Sequence, residues 1–210
     1  MLLVQDSMTR EVVTLAPETT AAEALKLCRE RGIRHLPIVE GDELVGMVSD
    51  RDLRSATPAL GDPARAAALD RIVVSDVMAR DVATARPDDP IEMAANAMRE
   101  RGIGSLPVVE DGRLVGIITS SDVMDALVQL VGAHEPGSRL EISMPDKPGS
   151  LAEVAALFRD ADVNVVSVVT GPSAGSGGRV GVFRAGTIDP GPVVKLLEEA
   201  GYPVLWPPQP

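Results

Sequence analysis

The chain contains an internal duplication, and this feature limits its fold more than any other. Residues 6–56 align with residues 76–126 at a constant offset of 70 residues and without a gap, and 21 of the 51 aligned pairs are identical. A repeat of this length contains a whole supersecondary unit rather than a single helix or strand. We therefore expect two copies of the same small fold.

Each copy is predicted to have the order strand, helix, strand, strand, helix. In the first copy Val12–Leu15 predicts a short strand. Residues 20–31 predict a helix that ends at Gly32, because glycine readily adopts the positive φ found after a last helical turn. The runs HLPIVE and ELVGMVS are separated by the turn GD, which predicts a hairpin. The final helix begins after Ser49 in this copy and after Thr119 in the second.

Proline- and glycine-rich linkers divide the rest of the chain. Residues 138–207 follow the order β-α-β-β-α-β, which is the ferredoxin-like arrangement. Within them GPSAGSGG, residues 171–178, predicts a flexible hairpin loop, and the tail PPQP is expected to be extended or disordered. The sequence thus predicts an α/β (α+β) protein with five consecutive parts: a first repeat over residues 1–60, a linker with one helix over 61–75, a second repeat over 76–131, a linker over 132–137 and a third domain over 138–207.

Composition argues against several classes of function. The net charge of −11 disfavours nucleic-acid binding, which relies on clustered lysine and arginine. No apolar run approaches the roughly 18 residues that span a bilayer, and the first residues lack the pattern of a signal peptide, so we expect no membrane association. The single cysteine, Cys28, rules out a disulfide within one chain and fits a cytoplasmic location. The only histidines, His35 and His134, have no third ligand at metal-binding spacing, so no metal site is expected.

The junction between the last strand and the last helix of each copy holds the candidate binding groups. Ser49 and Asp52 occupy the N-cap and N3 positions in the first copy, and Thr119 and Asp122 occupy them in the second. This pattern is a capping box, which needs no ligand. The same helix N-terminus offers free backbone N–H groups to a phosphate, and the carboxylate can accept hydrogen bonds from two ribose hydroxyls. These residues alone leave both interpretations open.

The complete set of spacings resembles a tandem CBS pair, also called a Bateman module. The resemblance rests on Met8, Thr14, GIRHLPIV, LVGMVSDRD and their second-copy equivalents, and it covers about residues 3–130. It implies pseudo-twofold packing of the two copies, with two clefts that bind adenine nucleotides or related adenosyl compounds. The roles that the resemblance implies are ribose binding by Asp52 and Asp122, phosphate contact by Ser49 and Thr119, a base-facing strand at Thr14 and Thr84, and contact with adenine by Ile33 and Ile103.

The two copies differ near the presumed phosphate. At three positions the first copy has Arg34, His35 and Arg51, where the second has glycine or serine. In an acidic protein a phosphate needs local positive charge, and arginine suits it especially well. We therefore expect the first copy to bind a phosphorylated nucleotide more tightly than the second.

The third domain resembles an ACT domain, a βαββαβ unit that commonly binds an amino acid. The resemblance rests on PDKPGSLAEVAALF followed by VNVVSV. It gives as candidate effector-binding residues Asp146, Lys147, Pro148, Gly149, Ser150 and Asn164. Gly149 permits a tight turn, Ser150 is predicted to cap the next helix with Glu153 at N3, and the free N–H groups there suit a carboxylate. The alternative is that PG forms an ordinary turn and the domain only dimerises.

Three classes of function follow from these patterns. The first is a non-catalytic, cytoplasmic homodimer that senses adenine nucleotides and acts allosterically on an unidentified protein partner. The second is a sensor of an amino acid or another metabolite through the ACT domain, with structural CBS repeats. The third is an enzyme. His35 with Asp50 and Asp52 suggests an acid–base set, but the chain has no nucleophile motif and no Walker-type phosphate loop, so we expect no catalytic residues and no required cofactor. The order of domains resembles bacterial acetoin-utilisation B-type proteins, although no residue here indicates acetoin chemistry.

Overall fold

The computed structural model describes residues 2–173 and 177–207, and it divides into two compact units with the boundary between Met124 and Asp125. Parts of the predicted loop at 171–178 and of the predicted tail lie outside the described residues. The helices and strands up to the end of the second repeat are α1 (Val4–Ser7), α2 (Ala21–Arg31), β1 (His35–Glu40), β2 (Glu43–Ser49), α3 (Asp50–Ser55), α4 (Arg65–Arg71), α5 (Val74–Val77), α6 (Ile91–Arg101), β3 (Ser105–Glu110), β4 (Arg113–Thr119) and α7 (Ser120–Leu130).

Each repeat contains the predicted antiparallel hairpin, β1–β2 in the first and β3–β4 in the second. The two hairpins form one four-stranded sheet in the order β1-β2-β4-β3. A single residue pair, Glu43 with Arg113, joins β2 to β4. These two residues are equivalent in the duplication, so the pseudo-twofold axis that relates the copies passes through this pair.

The first predicted strand of each repeat is shorter than expected. Only Leu15 of the run Val12–Leu15 pairs, in parallel orientation with Ile38 of β1. Its amide donates to the carbonyl oxygen of Pro37 at 3.0 Å. A longer parallel ladder would need the Pro37 nitrogen as a donor, and proline has no N–H. The strand prediction was therefore wrong in extent, and the second repeat shows the same single bridge at Ala85.

The short helices α1 and α5 are followed by segments that pair with the opposite repeat. Thr9 exchanges two backbone hydrogen bonds of 2.9 Å with Ile117 of β4. Ala79 exchanges bonds of 3.0 and 2.9 Å with Met47 of β2. Residues at the start of each repeat thus complete the other repeat in space, and the exchange ties the two copies together.

Glycines at equivalent positions of β2 and β4 make room for these crossing segments. A Cβ atom on Gly46 would lie 2.4 Å from Sδ of Met78 and 3.2 Å from the carbonyl oxygen of Ala79. A Cβ atom on Gly116 would lie 2.5 Å from Sδ of Met8. The strand glycines of the two copies are therefore explained by packing between the repeats.

The core of the first repeat consists of aliphatic side chains from helices α2, α3 and α5 and from the hairpin. Its buried members are Leu15, Ala21, Ala24, Cys28, Leu36, Ile38, Val48, Leu53 and Val74. Val74 belongs to α5, so the exchanged segment contributes to this core. Burial raises the pKa of the Cys28 thiol, which is consistent with a small core residue rather than a reactive one.

The second unit contains the predicted βαββαβ domain. Its elements are β5 (Ser138–Met144), α8 (Ser150–Asp160), β6 (Val165–Pro172), β7 (Arg179–Ala185), α9 (Gly191–Glu199) and β8 (Val204–Trp206). The sheet order is β6-β7-β5-β8, and neighbouring strands are antiparallel. The rings of Phe158 and Phe183 stack at 5.2 Å between centroids, inside a core that is separate from that of the first repeat.

Replacing Gly46 with valine is expected to lower the free energy of unfolding by about 1–3 kcal/mol, the usual cost of overpacking. The Met78 side chain can rotate away, but the carbonyl oxygen of Ala79 is backbone and cannot. Urea denaturation followed by circular dichroism measures the change. The matched control is Gly171→Val in β6, because a Cβ atom there meets nothing within 4 Å. Equal decreases in the free energy of unfolding of both variants would contradict the packing role of Gly46.

Candidate functional site

A cavity of about 900 Å³ lies between the two repeats, within the size range of small-molecule sites. Equivalent segments of both copies line it: the extended segments after α1 and α5, the residues before β1 and β3, and the starts of α3 and α7. The two clefts expected from the resemblance are thus joined in one continuous cavity.

Nine of the predicted nucleotide-binding residues line this cavity. They are Ile33, Arg34, His35, Ser49, Arg51, Asp52, Ile103, Thr119 and Asp122. Thr14 and Thr84 are not among the lining residues. The extended segments contribute Val12 and Val13 from the first copy, and Val82 and Ala83 from the second.

Both predicted capping boxes are present. In the first copy Oδ2 of Asp52 accepts hydrogen bonds from the Ser49 amide at 2.9 Å and from the Ser49 hydroxyl at 2.6 Å. The Asp52 amide donates to Oγ of Ser49 at 3.3 Å. In the second copy Oδ2 of Asp122 accepts from the amide and the hydroxyl of Thr119, both at 2.7 Å. The capping interpretation is therefore confirmed in both repeats.

The capping boxes define which groups remain for a ligand. Each box uses one carboxylate oxygen, and Oδ1 of Asp52 and of Asp122 accepts no hydrogen bond from the described residues. A ribose hydroxyl can donate to this oxygen. The hydroxyls of Ser49 and Thr119 already donate to the carboxylates, and a hydroxyl has only one proton to donate. The amides of Asp50 and Ser120 also donate already, to the carbonyl oxygens of Arg34 and Gly104 at 2.9 and 3.0 Å, so in this state a phosphate here depends mainly on side-chain donors.

The charged groups of the cavity are unevenly divided. Its guanidinium groups, Arg34 and Arg51, both come from the first repeat and make no ion pair among the described residues. Its carboxylates are those of Glu11, Asp50, Asp52, Asp81 and Asp122. The sequence reasoning missed Glu11 and Asp81. Their spacing of 70 residues, just before the predicted first strands, was the signal that could have found them.

His35 lies where the two repeats meet in the cavity. A Cβ atom on Gly104 would lie 3.1 Å from both Cε1 and Nε2 of the imidazole. Burial lowers the pKa of His35 from its usual value of 6.5, and the charge of Asp50 partly opposes this effect. The ring is therefore mostly neutral at pH 7 in the ligand-free protein.

The candidate effector site of the second unit differs from the prediction in one respect. Gly149, with φ of 92°, is the N-cap of α8, so Ser150 is the first helical residue and does not cap the helix. The prediction of a Ser150 cap was wrong, because the left-handed turn at Gly149 starts the helix one residue earlier than expected. Ser150 is buried, and its Oγ atom has no hydrogen-bond partner among the described residues.

Glu153 of the same helix already has a hydrogen-bond partner and an ion-pair partner. Glu153 accepts a hydrogen bond from the hydroxyl of Tyr202, and this bond together with burial raises the pKa of Tyr202. Nζ of Lys147 lies 3.9 Å from Oε1 of Glu153. The other candidates, Asp146, Pro148 and Asn164, are exposed, and the carbonyl oxygen of Asn164 accepts from the Gly186 amide at 2.8 Å.

Two further features concern the described residues as a whole. None of the helices in the described ranges has the length and apolar character needed to cross a membrane. Within residues 2–173 and 177–207, no three His, Cys, Asp or Glu side chains are grouped so that they could hold a metal ion.

The chain matches two known domain families. The CBS domain matches residues 4–58 and 74–129, together just over half of the chain. The ACT domain matches residues 138–201. Both families consist of modules that are generally regulatory rather than catalytic.

Several solved structures are similar to the CBS part of the chain. A protein of Vibrio cholerae assigned to acetoin utilisation (AcuB) is 36% identical, with a TM-score of 0.55, over 65% of this chain and 99% of that one. The CBS domain pair of protein MJ0100, in complex with 5′-methylthioadenosine and S-adenosyl-L-methionine, is 31% identical with a TM-score of 0.52, over 61% of this chain and 98% of that one. The protein CBSX2 in complex with AMP is 29% identical with a TM-score of 0.54, over 62% and 99% of the two chains. CBS pairs similar to this one therefore bind adenosyl ligands.

Some curated relatives are much longer than this chain. Two of them are enzymes, and the matched part of this chain corresponds to 23% and 31% of their lengths. What those enzymes catalyse is therefore no guide to what this chain does.

Proposed function

The chain belongs to the CBS domain family and has an ACT domain after its CBS pair, and from this premise we propose that it is a non-catalytic regulatory protein that senses an adenosyl ligand. The ligand binds in the cavity between the two repeats. The observation that supports this best is the pair of carboxylates, Asp52 and Asp122, which line one cavity and each keep one oxygen free for a ribose.

The lining residues suggest how such a ligand is held. The ribose hydroxyls donate to Oδ1 of Asp52, and the adenine packs against Ile33 and the neighbouring valines of the extended segment. The phosphate lies toward Arg34 and Arg51, which have no competing ion pair among the described residues. Thr14 and Thr84 do not line the cavity, and their proposed role is limited to holding the segments whose residues Val12, Val13, Val82 and Ala83 face the base.

The balance of charge favours ligands with few phosphates. Five carboxylates and two guanidinium groups line the cavity, so each added phosphate increases repulsion that the two arginines only partly offset. We therefore rank AMP and S-adenosylmethionine above ATP. The second repeat contributes no basic side chain to the lining, so its half of the cavity suits an uncharged or cationic adenosyl ligand.

A thermal-shift panel tests this proposal. A ligand at about 100 times its dissociation constant stabilises the folded protein by about 2.7 kcal/mol, so AMP and S-adenosylmethionine are expected to raise Tm clearly, and ATP less at equal concentration. Inorganic phosphate at the same concentration is the control for general anion binding. The absence of a shift with every adenosyl compound would contradict the proposed function.

A second ligand at the ACT domain is the alternative that one observation favours. The hydroxyl of Ser150 is buried without a partner among the described residues, at the N-terminus of the long helix α8. A buried hydroxyl without a partner costs free energy, and an amino-acid carboxylate would satisfy it together with the free N–H groups of the helix. Adding amino acids to the same thermal-shift panel separates this alternative from nucleotide sensing.

The proposed regulatory output is a change in how the two repeats pack. Ligand binding changes the packing of one repeat on the other, and couplings of this kind are typically worth about 1–3 kcal/mol at a second site. We propose that a cytoplasmic homodimer passes this change to a protein partner. A connection with acetoin metabolism rests only on the similarity to the Vibrio cholerae protein.

A further inference from the structure

One imidazole, that of His35, lies against both repeats inside the cavity. The side chain belongs to the first residue of β1, and its Cε1 and Nε2 atoms would lie 3.1 Å from a Cβ atom on Gly104. Gly104 occupies the position that is equivalent to Arg34 in the duplication. A side chain as large as arginine there would displace the ring. The position of His35 in the first repeat therefore depends on glycine at residue 104 of the second.

The second repeat has no equivalent of this ring. Ser105 stands at the position equivalent to His35, and it is buried in the cavity wall. Within the described lining, the imidazole and both guanidinium groups all come from the first repeat. The two halves of the cavity therefore share a single imidazole.

The surroundings of His35 determine its charge. Burial is the largest influence and lowers its pKa, Asp50 and Asp52 raise it, and Arg34 and Arg51 lower it. The remaining charged residues of the cavity lining are Glu11, Asp81 and Asp122. Without a ligand the ring thus has one N–H donor and one acceptor nitrogen at pH 7.

We propose that His35 selects phosphorylated adenosyl ligands by taking up a proton from solvent when they bind in the first repeat's half of the cavity. This inference rests on the proposed function of the cavity. A phosphate dianion near the ring favours the imidazolium form, which then donates a hydrogen bond to a phosphate oxygen. An uncharged adenosyl ligand brings no negative charge and leaves the ring neutral.

The direction of the pH dependence follows from this linkage. The pKa of His35 lies below 6.5 in the free protein and rises when a phosphate is bound. Between these two pKa values AMP affinity falls as the pH rises, by up to about tenfold per pH unit. Adenosine, which lacks the phosphate, is expected to bind with the same affinity across this range.

Isothermal titration calorimetry in buffers with different ionisation enthalpies measures the proton uptake directly. At pH 7.0, above the second pKa of a phosphate monoester at about 6, we expect a measurable fraction of one proton to be taken up per AMP, a smaller fraction at pH 8.0, and none per adenosine. His35→Gln is expected to abolish the uptake and to make AMP affinity independent of pH. His134→Gln is the matched control, because it removes the only other histidine of the chain, which is exposed.

The outcomes separate the inference from the proposed function. AMP binding without proton uptake, or the same uptake in His35→Gln as in the wild type, would overturn the role of His35 and leave the adenosyl site standing. If neither AMP nor adenosine binds the wild type, the proposed function itself fails, and the inference fails with it. A Gly104→Ala variant gives a second measurement, because it moves the ring without removing it and is expected to reduce the uptake.

Discussion

Replacing Asp52 with alanine is expected to weaken AMP binding by about 10- to 100-fold, the usual effect of losing hydrogen bonds to a charged group. The carboxylate lines the cavity, and its free oxygen is the proposed acceptor for the ribose hydroxyls. Asp122→Ala is expected to have a smaller effect, because the arginines that hold the phosphate lie only in the first repeat. Isothermal titration calorimetry of both variants measures the difference.

The control for this prediction must account for the capping box. Asp52→Ala removes a helix cap as well as a ligand contact, and caps are worth about 0.5–2 kcal/mol of stability. Glu23→Ala removes the same kind of group, because Oε2 of Glu23 accepts from the amide and the hydroxyl of Thr20 at 2.9 and 2.8 Å outside the cavity. It is expected to lower stability without changing AMP affinity. Equal losses of affinity in Asp52→Ala and Asp122→Ala would contradict the asymmetry between the repeats.

The local parts of this structure could be predicted because their signals are local. The hairpins follow from β-rich runs around a two-residue turn, and the helix ends at Gly32 and Gly102 follow from glycine after an arginine-rich last turn. Both glycines have positive φ, 65° and 66°. The capping boxes at the cavity follow from a spacing of three residues. Each of these features depends on residues that are neighbours in the chain.

The exchange of α1 and α5 between the repeats could not be predicted in this way. The first segment of each repeat contains a strand-pairing residue, Thr9 or Ala79, and both possible partner strands have nearly the same sequence. A duplicated chain therefore gives no sequence signal that distinguishes pairing within a copy from pairing between copies. The proximity of His35 to Gly104 could not be predicted either. It joins two different repeats at positions that are not equivalent in the alignment.

The linker before the ACT domain illustrates a third limit of the sequence. Residues 132–137 were predicted as a linker from their glycine and proline. Arg184 of β7 holds this segment by donating to the carbonyl oxygens of Ala133 at 3.2 Å and Glu135 at 2.7 Å. Ser167 of β6 donates to the carbonyl oxygen of Val131 at 2.8 Å. These bonds involve backbone acceptors, which every residue has, so no residue type in the linker indicates them.

Replacing Phe158 with alanine is expected to destabilise the ACT domain by about 3–5 kcal/mol, the usual cost of removing a buried aromatic ring. Phe158 is 1% exposed and stacks on Phe183 at the centre of the second unit's core. Trp206 is the only tryptophan of the chain and lies on β8 of the same domain, so its fluorescence during urea denaturation reports this unit selectively. We expect the urea concentration at the midpoint of the ACT domain's unfolding to fall sharply.

The same variant tests whether the two units unfold separately. Cys28, the only cysteine, is buried in the core of the first repeat, so its reaction with a thiol reagent reports unfolding of the CBS unit alone. Because the two cores share no residue, Phe158→Ala is expected to leave the protection of Cys28 unchanged. Val168→Ala is the matched control in the ACT domain, since this side chain is 39% exposed and its loss should change stability by less than about 0.5 kcal/mol. If Cys28 loses protection together with the Trp206 transition, the two units form one cooperative structure, and a ligand at either of them must affect the other through global stability.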